Sequence, residues 1–329
     1  MLKRKFKIGS LELFSNIFCA PLAGCSDLPF RHMVKRFNPG LMFCEMVKMD
    51  ALVRNDPGTL HILDYTSSMH PIGAQLCGSK LSLAQESARM IEDLGFDLLD
   101  FNCGCPVDKV TKDGSGSGML KSPDMIGEMV SLFTSAVKIP VTVKIRAGWD
   151  EEHICVEEIA KIVYQAGASA LCVHGRTRAQ GYAGPANWEW IKRAKESAPS
   201  LLIIGNGDLF EAPTSKKMFN AANCDALLVA RGTFGAPWIF EQIYAFLEKE
   251  EDPTQKQFCF IKEMLLDHLT MISLYQPEKK ALLDLRRIGG WYLKNLPRAK
   301  SLREHLCRVG SLKEAFAYIH SFGSVLQEV

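Results

Sequence analysis

Short apolar runs recur along the first 230 residues of the chain, and a glycine or a polar residue follows each run closely. Eight runs are predicted as β-strands: 17–22, 41–43, 72–76, 96–101, 141–145, 170–173, 201–204 and 226–230. The segments between them, such as 82–94 and 155–166, have the apolar spacing of helices. Near-continuous apolar strands are typical of a parallel sheet that helices cover on both faces. Eight strand and helix units therefore predict an α/β protein with a (β/α)8 TIM barrel.

The alternation of strands and helices stops after Trp238. A charged run, 248–253, then precedes a region with mainly helical spacing over 258–272, 279–296 and 300–307. We therefore predict two domains, a barrel over residues 1–245 and a small C-terminal helical domain over residues 254–329.

The composition is that of an ordinary globular protein, with 47% hydrophobic and 23% charged residues in a chain of 329. The eleven cysteines are an odd number, and most lie inside apolar runs, as buried free thiols do. The basic N-terminus lacks the apolar core of a signal peptide. No apolar run approaches the roughly 18 residues of a membrane span. We therefore expect a cytoplasmic protein without a membrane segment.

The charge is unevenly distributed. Although the net charge is only +2, residues 279–308 contain nine lysines and arginines against two acidic residues. This segment therefore carries +7, which leaves −5 for the rest of the chain. Such a basic stretch is typical either of a polyanion-binding surface or of the solvated face of a helix.

Unusual polar residues follow the predicted strands, where a TIM barrel builds its active site. They are Gln75, Asn102 with Cys105, Lys144 with Arg146, His174 with Arg176, Asn206 with Gly207 and Asp208, and Arg231 with Gly232. Each has a simple structural explanation: His174 alone is more typical of a buried structural histidine, and Lys144 alone of a surface lysine. Their joint occurrence at one rim favours an active site.

The last two strand ends indicate a phosphate site. Segments 205–208 and 230–233 place glycines and backbone amides where this fold commonly holds phosphate, and Arg231 adds a forked donor. A lysine at position 144 could stabilise negative charge on an electron-rich ring. Together they indicate a phosphorylated planar cofactor, and flavin mononucleotide (FMN) fits.

Two further motifs surround Cys105. Asn102-Cys103-Gly104-Cys105-Pro106 suits a tight turn that presents side chains, although by itself it also fits a plain Cys-rich loop in a reducing compartment. The glycines at 114, 116 and 118 form a rival phosphate loop. No strand immediately precedes them, as a dinucleotide motif requires. We interpret them as a mobile loop beside Cys105.

In these residues the chain resembles the tRNA-dihydrouridine synthases, most closely the general bacterial type. The resemblance is carried by segments 20–31, 102–106 with 109–110, 143–149, 174–177 with 180–182, 205–208, and 231–232 with 237–238. The six segments occur in order and cover most of the chain.

The resemblance implies an FMN-binding barrel whose cofactor contacts are Pro21, Leu22, Ala23, Gln75, Lys144, His174, Asn206, Gly207, Asp208, Ala230 and Arg231. The first three would lie against the flavin, the next three would bind its ring or ribityl edge, and the last five its phosphate region. Asn102 would position the target uracil, with Arg176 and Tyr182 as further substrate contacts. Cys105 would be the catalytic proton donor, and Cys103 has no implied role.

The implied reaction reduces a uridine in tRNA to 5,6-dihydrouridine. Hydride passes from flavin N5 to C6, and Cys105 protonates C5; an ordinary thiol, with a pKa near 8.5, is largely protonated at neutral pH. The family reduces its flavin with NADPH or NADH. Because no dinucleotide-binding domain is visible, we expect the nicotinamide to use the same flavin face. We expect a monomer and no metal.

The implied tRNA-binding region is the basic helical domain. Segments 285–287 and 291–297 resemble the family's tRNA-binding segment, with Arg286, Arg287, Lys294 and Arg298 as the expected contacts. Ile288 departs from the histidine that is common in relatives. A small-molecule pyrimidine flavoenzyme, such as a dihydroorotate dehydrogenase, is the alternative, but it would not need this domain. A noncatalytic RNA-binding barrel would need neither the Cys105 motif nor the phosphate rim.

Overall fold

The computed structural model describes residues 1–294, 296 and 299–322. Its strands are β1 (Phe6–Ile8), β2 (Leu11–Leu13), β3 (Ile17–Cys19), β4 (Met42–Lys48), β5 (Ile72–Cys77), β6 (Leu98–Cys103), β7 (Val141–Arg146), β8 (Ala170–His174), β9 (Leu202–Asn206) and β10 (Ala226–Val229). Strands β3 to β10 coincide with the eight predicted apolar runs, except that β4 continues well past the predicted end.

Strands β3 to β10 form one parallel sheet in the order β3-β10-β9-β8-β7-β6-β5-β4. The two outer strands approach each other, because the Gly40 amide donates to the Ile17 carbonyl at 2.8 Å and the Cys19 amide donates to the Leu41 carbonyl at 2.9 Å. The sheet therefore closes on itself. The predicted TIM barrel is confirmed.

Helices follow the strands and surround the barrel. They are α1 (Leu28–Lys35), α2 (Met49–Val53), α3 (Pro57–Ile62), α4 (Ala84–Asp93), α5 (Asp108–Thr111), α6 (Pro123–Ala136), α7 (Val156–Gln165), α8 (Glu189–Ser197), α9 (Ala212–Ala222) and α10 (Ile239–Lys249). Their apolar faces pack on the outward side chains of the strands and form the main hydrophobic core. This packing fixes the strand ends that carry the polar rim.

The antiparallel hairpin of β1 and β2 lies at the other end of the barrel. Its apolar side chains, including Phe6 and Ile8, form a separate buried cluster with inward residues of the strands, such as Phe18 and Leu98. Gly9 makes the tight turn with a left-handed φ of 55°. Because this cluster fills the interior from below, space for a ligand is left at the carboxyl ends of the strands.

Four further helices follow the barrel: α11 (Phe258–Tyr275), α12 (Glu278–Leu293), α13 (Lys300–Leu306) and α14 (Leu312–Ser321). They share a hydrophobic cluster that also takes in Met33 and Trp238 from the barrel. Ile288, which departs from the residue that the resemblance implies, is only 2% exposed. Its side chain therefore packs in the core of these helices. Across residues 1–294, 296 and 299–322, no helix combines the length and apolar character needed to cross a membrane.

Candidate active site

A cleft of about 410 Å³ opens at the carboxyl ends of the barrel strands. Every barrel residue predicted as a site residue lines it except Arg176; the lining set is Pro21, Leu22, Ala23, Gln75, Asn102, Cys105, Lys144, His174, Tyr182, Asn206, Gly207, Asp208, Ala230 and Arg231. Its volume falls in the range of small-molecule and cofactor sites. The strand-end rule therefore identified one continuous site.

A buried hydrogen-bond network underlies one wall of the cleft. Thr142 Oγ1 donates to Asp100 Oδ1 at 2.6 Å, and Gln75 Nε2 donates to Asp100 Oδ2 at 2.6 Å. Asn102 Nδ2 in turn donates to Gln75 Oε1 at 2.7 Å. Burial raises the pKa of the Asp100 carboxyl, although both of its hydrogen bonds oppose the rise. The network sets the orientation of the two amide side chains that face the cleft.

The turn that carries Cys105 is held on several sides. Asn102 Oδ1 accepts from the backbone amides of Gly104 at 3.1 Å and Cys105 at 2.9 Å. The Cys105 carbonyl accepts from Ser117 Oγ at 2.9 Å, and the Gly104 carbonyl accepts from Arg146 Nε at 3.1 Å. The backbone under the Cys105 thiol is therefore fixed. Asn102 has a structural task here in addition to its predicted contact with the substrate.

The glycine-rich segment beside Cys105 is not the loop that we predicted. Gly116–Lys121 form a 3-10 helix, and Ser117 is fully buried. Gly116 has φ of 59°, and a Cβ at this position would lie 2.9 Å from the Cys105 carbonyl oxygen. The glycine is needed because this helix packs directly against the turn. Cys103, by contrast, is buried in the main core and does not line the cleft.

Positive charge dominates the floor of the cleft. The Lys144 ammonium makes no hydrogen bond or ion pair with any described residue, and Arg146 and Arg231 lie nearby in the lining. Burial, followed by the charges of Lys144, Arg146, Arg176 and Arg231, lowers the pKa of His174 well below its usual range. His174 is therefore neutral at pH 7. The cleft is suited to an anionic or electron-rich ligand.

Arg176, which we predicted as a substrate contact, is not among the residues that line the cleft. Its guanidinium forms a forked ion pair with Asp208, with both N to O distances at 2.8 Å, and donates to the Gly184 carbonyl. Arg176 is only 3% exposed, so it holds Asp208 in place from behind the cleft wall. Burial acts to raise the pKa of Asp208, but hydrogen bonds from Arg176 and the Ala186 amide outweigh it and the pKa is lowered.

Gly207 is required by two features of the phosphate rim. Its φ of 127° is a backbone conformation that side chains disfavour, and a Cβ would lie 2.7 Å from the Ala186 Cβ.

Arg231 lies over the exposed ring of Tyr182 at 4.4 Å and over Phe210 at 5.2 Å. Its contact with Asp208 is long, at 3.5 Å. The Arg231 guanidinium is therefore available to a ligand.

The basic residues predicted as tRNA contacts differ in their surroundings. Arg286 is exposed and, like the Lys294 ammonium, has no partner among the described residues. Arg287 turns toward the barrel and donates to the Gly24 carbonyl. Arg298 lies outside the described residues. Within the described part of the predicted set, Arg286 and Lys294 present free charge to solvent.

Comparisons with known proteins identify the family of this chain. A sequence model of the family described as dihydrouridine synthase (Dus) matches residues 18–326. The chain belongs to the dihydrouridine synthase family. It is 36% identical over 302 residues to a probable tRNA-dihydrouridine synthase of Rickettsia bellii. The match covers 90% of this chain and 91% of the relative. It is 33% identical over 316 residues to tRNA-dihydrouridine synthase B of Pseudomonas aeruginosa. That match covers 96% of this chain and 95% of the relative.

A solved structure shares the fold of this dihydrouridine synthase family member. Histamine dehydrogenase from Rhizobium sp. 4-9 superposes with a TM-score of 0.58 at 14% identity, covering 81% of this chain and 50% of the other. At that identity the likeness supports the barrel architecture alone.

The cleft fits the flavin that the family uses. The Lys144 ammonium, which has no hydrogen bond or ion pair with the described residues, lines the cavity, and Gly207 keeps the phosphate rim free of a side chain. Arg231 is free to bind an anion. Proline and alanine at positions 21 and 23 give one wall an apolar surface suited to a planar ring. A flavin would therefore find an apolar wall, a cation and a phosphate rim within one cavity.

Sequence reasoning assigned no role to several residues that line the cleft. Cys25, Met46, Val107, Phe210 and Phe234 all contribute to the lining. Val107 and Phe210 each lie six residues after a predicted strand end, at 101 and 204, and that place in the sequence could have identified them. Met46 lies inside β4 beyond the predicted strand, so its direction could not be read from the apolar run.

Proposed function

We propose that this protein reduces uridines in tRNA to 5,6-dihydrouridine, with FMN as its flavin and NADPH or NADH as the reductant. The main observation behind this proposal is the turn of Cys105, whose backbone is fixed by hydrogen bonds at the edge of a positively charged cleft. Family membership supplies the reaction class, and the relatives cited above are named for tRNA. The enzyme is a flavin-dependent oxidoreductase of the dihydrouridine synthase family.

A bound flavin would supply the hydride that adds to C6 of the uracil. Cys105 donates the proton to C5, and its backbone hydrogen bonds keep the thiol at one place while it does so. The neutral imidazole of His174 and the ammonium of Lys144 would bind the flavin ring, and Arg231 would bind its phosphate. The Asp100 network keeps Gln75 and Asn102 oriented toward the ligand.

The substrate assignment is supported by the exposed charges of helix α12. Arg286 and Lys294 have no protein partner within the described part of the chain, and RNA duplexes are bound mainly through shape and backbone phosphates. A uridine must leave its stack to reach a cleft of this depth. A free pyrimidine would need no such surface.

The proposal includes a monomeric enzyme that acts in the cytoplasm. All eleven cysteines are free thiols, and six of them are buried. Free thiols in this number are typical of proteins kept in a reducing compartment. Size-exclusion chromatography with light scattering would check the monomer.

The decisive experiment supplies purified protein with FMN, NADPH and a tRNA transcript that carries no modifications. We expect dihydrouridine at defined positions, read by mass spectrometry of the digested RNA. Free uracil and dihydroorotate, tested in parallel, should not be turned over at comparable rates. Activity on the free pyrimidines without activity on tRNA would replace the proposal by a small-molecule oxidoreductase.

A further inference from the structure

Helix α12 directly contacts two barrel loops that line the cleft. The Arg287 guanidinium donates to the Gly24 carbonyl, and the indole of Trp291 stacks on Phe234 with ring centroids 4.0 Å apart and planes 1° from parallel. A Cβ on Gly235 would overlap the Trp291 backbone, so the loop and the helix approach as closely as a glycine permits. The helical domain is therefore in contact with the wall of the active site.

The Gly24 peptide is held from both sides. Its amide donates to the Glu45 carboxylate of the barrel, while its carbonyl accepts from Arg287 of the helical domain. Gly24 itself has a left-handed φ of 70°. The neighbouring residues Ala23 and Cys25 line the cleft. These two hydrogen bonds therefore set the shape of the wall that a flavin would touch.

The groups around Arg287 hold its side chain at the contact between helix α12 and the barrel. It donates to Asp284 Oδ1 at 2.8 Å, and its Nε is buried without a hydrogen-bond partner among the described residues. Glu45 and Asp27 also face it; burial raises the pKa of both carboxyls, and the Arg287 charge acts in the opposite direction. A guanidinium surrounded by three carboxylates has little charge left to offer a phosphate.

Arg286 provides the contrast one residue earlier on the same helix. It is exposed and contacts no residue of the barrel by hydrogen bond or ion pair within the described chain. The two arginines have the same charge and nearly the same place in the sequence. They differ in direction, because successive residues of a helix point about 100° apart.

We propose that Arg287 is a positioning residue that holds the loop of residues 21–26 against the bound flavin. This inference rests on the proposed function, because it assumes that the cleft binds a flavin. Helix α12 then carries two tasks on two faces: the outward face with Arg286 binds tRNA, and the inward face with Arg287 shapes the flavin wall. Removing Arg287 should alter the flavin site even when no RNA is present.

The test compares Arg287→Ala with Arg286→Ala in the purified full-length protein. Arg287→Ala should weaken FMN binding at least about tenfold, the scale of one charge-assisted hydrogen bond, and should change the visible circular dichroism of the bound flavin. Arg286→Ala should leave both unchanged and weaken tRNA binding alone. Arg287→Lys keeps a donor for the Gly24 carbonyl and should restore part of the FMN affinity.

A wild-type flavin spectrum and FMN affinity in Arg287→Ala, with a loss of tRNA binding equal to that of Arg286→Ala, would overturn the inference. If Arg287→Ala does not fold, Glu45→Ala tests the same wall from the barrel side. It removes the acceptor of the other hydrogen bond to Gly24 and should also change the flavin spectrum without weakening tRNA binding. A wild-type spectrum for Glu45→Ala would then reject the inference. Wild-type protein that binds no flavin would instead reject the proposed function.

Discussion

Asp208 in the barrel cleft and the basic side chains on the outer face of helix α12 are held in opposite ways. In the cleft, Asp208 is fixed by the forked pair with Arg176 and by the Ala186 amide. On the helix, Arg286 and Lys294 reach into solvent without a partner in the described chain. Chemistry at a single ring atom needs groups placed within a fraction of an ångström, because misplacement is costly in rate. Neutralising a phosphate needs charge nearby and little else.

We also expect the two regions to respond differently to substitution. Removing one member of a buried polar network disturbs several others, because its partners are left without hydrogen bonds. An exposed charge contributes little to folding stability. We therefore expect cleft variants to change catalysis or cofactor binding, and variants on the outer face of α12 to change tRNA affinity while the flavin chemistry stays intact.

The largest expected effect is that of Cys105→Ala. Loss of the proton donor should reduce dihydrouridine formation by about 10² to 10⁴, the usual range for a general acid. FMN binding and flavin reduction by NADPH should remain, since the thiol takes part in neither. Stopped-flow absorbance separates the two half-reactions.

Cys103→Ala is the matched control for that variant. Cys103 lies two residues away but is buried in the core, and the substitution shortens a side chain that does not line the cleft. We expect a small loss of stability and nearly full activity. Equal losses of activity in the two variants would mean that the acid is assigned wrongly.

The next effect concerns the phosphate rim. Arg231→Ala should weaken FMN binding by about 1.5–3 kcal/mol, the usual contribution of a hydrogen bond to a charged group. Because Arg231 makes a long contact with Asp208 and otherwise lies over two exposed rings, its loss should leave the melting temperature of the apoprotein nearly unchanged. Fluorescence titration with FMN measures the affinity. Arg178→Ala removes the same charge from a residue that pairs with Asp108 outside the cleft, and it should bind FMN normally.

The positions of the cleft residues could be predicted because they depend on strand ends alone. Asn102, Lys144 and His174 each close an apolar run, and the barrel brings such ends to one rim. The inward direction of Arg176 and Arg287 could not be predicted, since it depends on partners distant in the sequence, Asp208 and Gly24. Residue type and spacing do not specify which way a long side chain turns.

The N-terminal hairpin could have been predicted from its local sequence, although our eight predicted strands do not include it. Gly9 and Ser10 form a two-residue connection between short apolar runs, which is typical of a β-hairpin. Each strand has only three residues, too few for a clear alternation of apolar and polar positions. The packing of the hairpin under the barrel depends on tertiary contacts that spacing cannot supply.

A smaller effect is expected on the outer face of α12. Replacing Arg286 and Lys294 together by alanine should weaken tRNA binding and reduce the slope of log affinity against log salt, by up to about 0.9 for each phosphate that the variant no longer neutralises. Filter binding over a range of salt measures the slope. Flavin reduction by NADPH should be unchanged.

The paired control removes two positive charges far from the cleft. Lys138 and Lys161 are exposed, the first before β7 at the closed end of the barrel and the second on α7. Their replacement by alanine keeps the net charge of the two double variants equal. If both double variants show the same salt slope, tRNA responds to overall charge and the face of α12 has no special part in binding.

The smallest effect concerns pH and the hydrophobic cluster of the C-terminal helices. His268 is buried beside Tyr292, whose hydroxyl lies 3.3 Å from Nδ1, and burial lowers the pKa of His268 to about 3. The unfolded chain takes up this proton near pH 6.5 and the folded chain does not, so the contribution of His268 to stability is complete above that pH and is lost as the pH falls from 6.5 toward 3. The loss should approach about 1.4 kcal/mol per pH unit.

His268→Phe tests that dependence on pH. The variant should lose about 1 kcal/mol of stability at pH 8 through the missing hydrogen bond to Tyr292. Its free energy of unfolding should then fall less steeply than that of the wild type between pH 6.5 and 5, measured by urea denaturation. His320→Phe, on the exposed end of α14, changes a histidine that meets water in both states and should keep the wild-type slope. Parallel curves for all three proteins would show that His268 does not stay neutral in the folded protein.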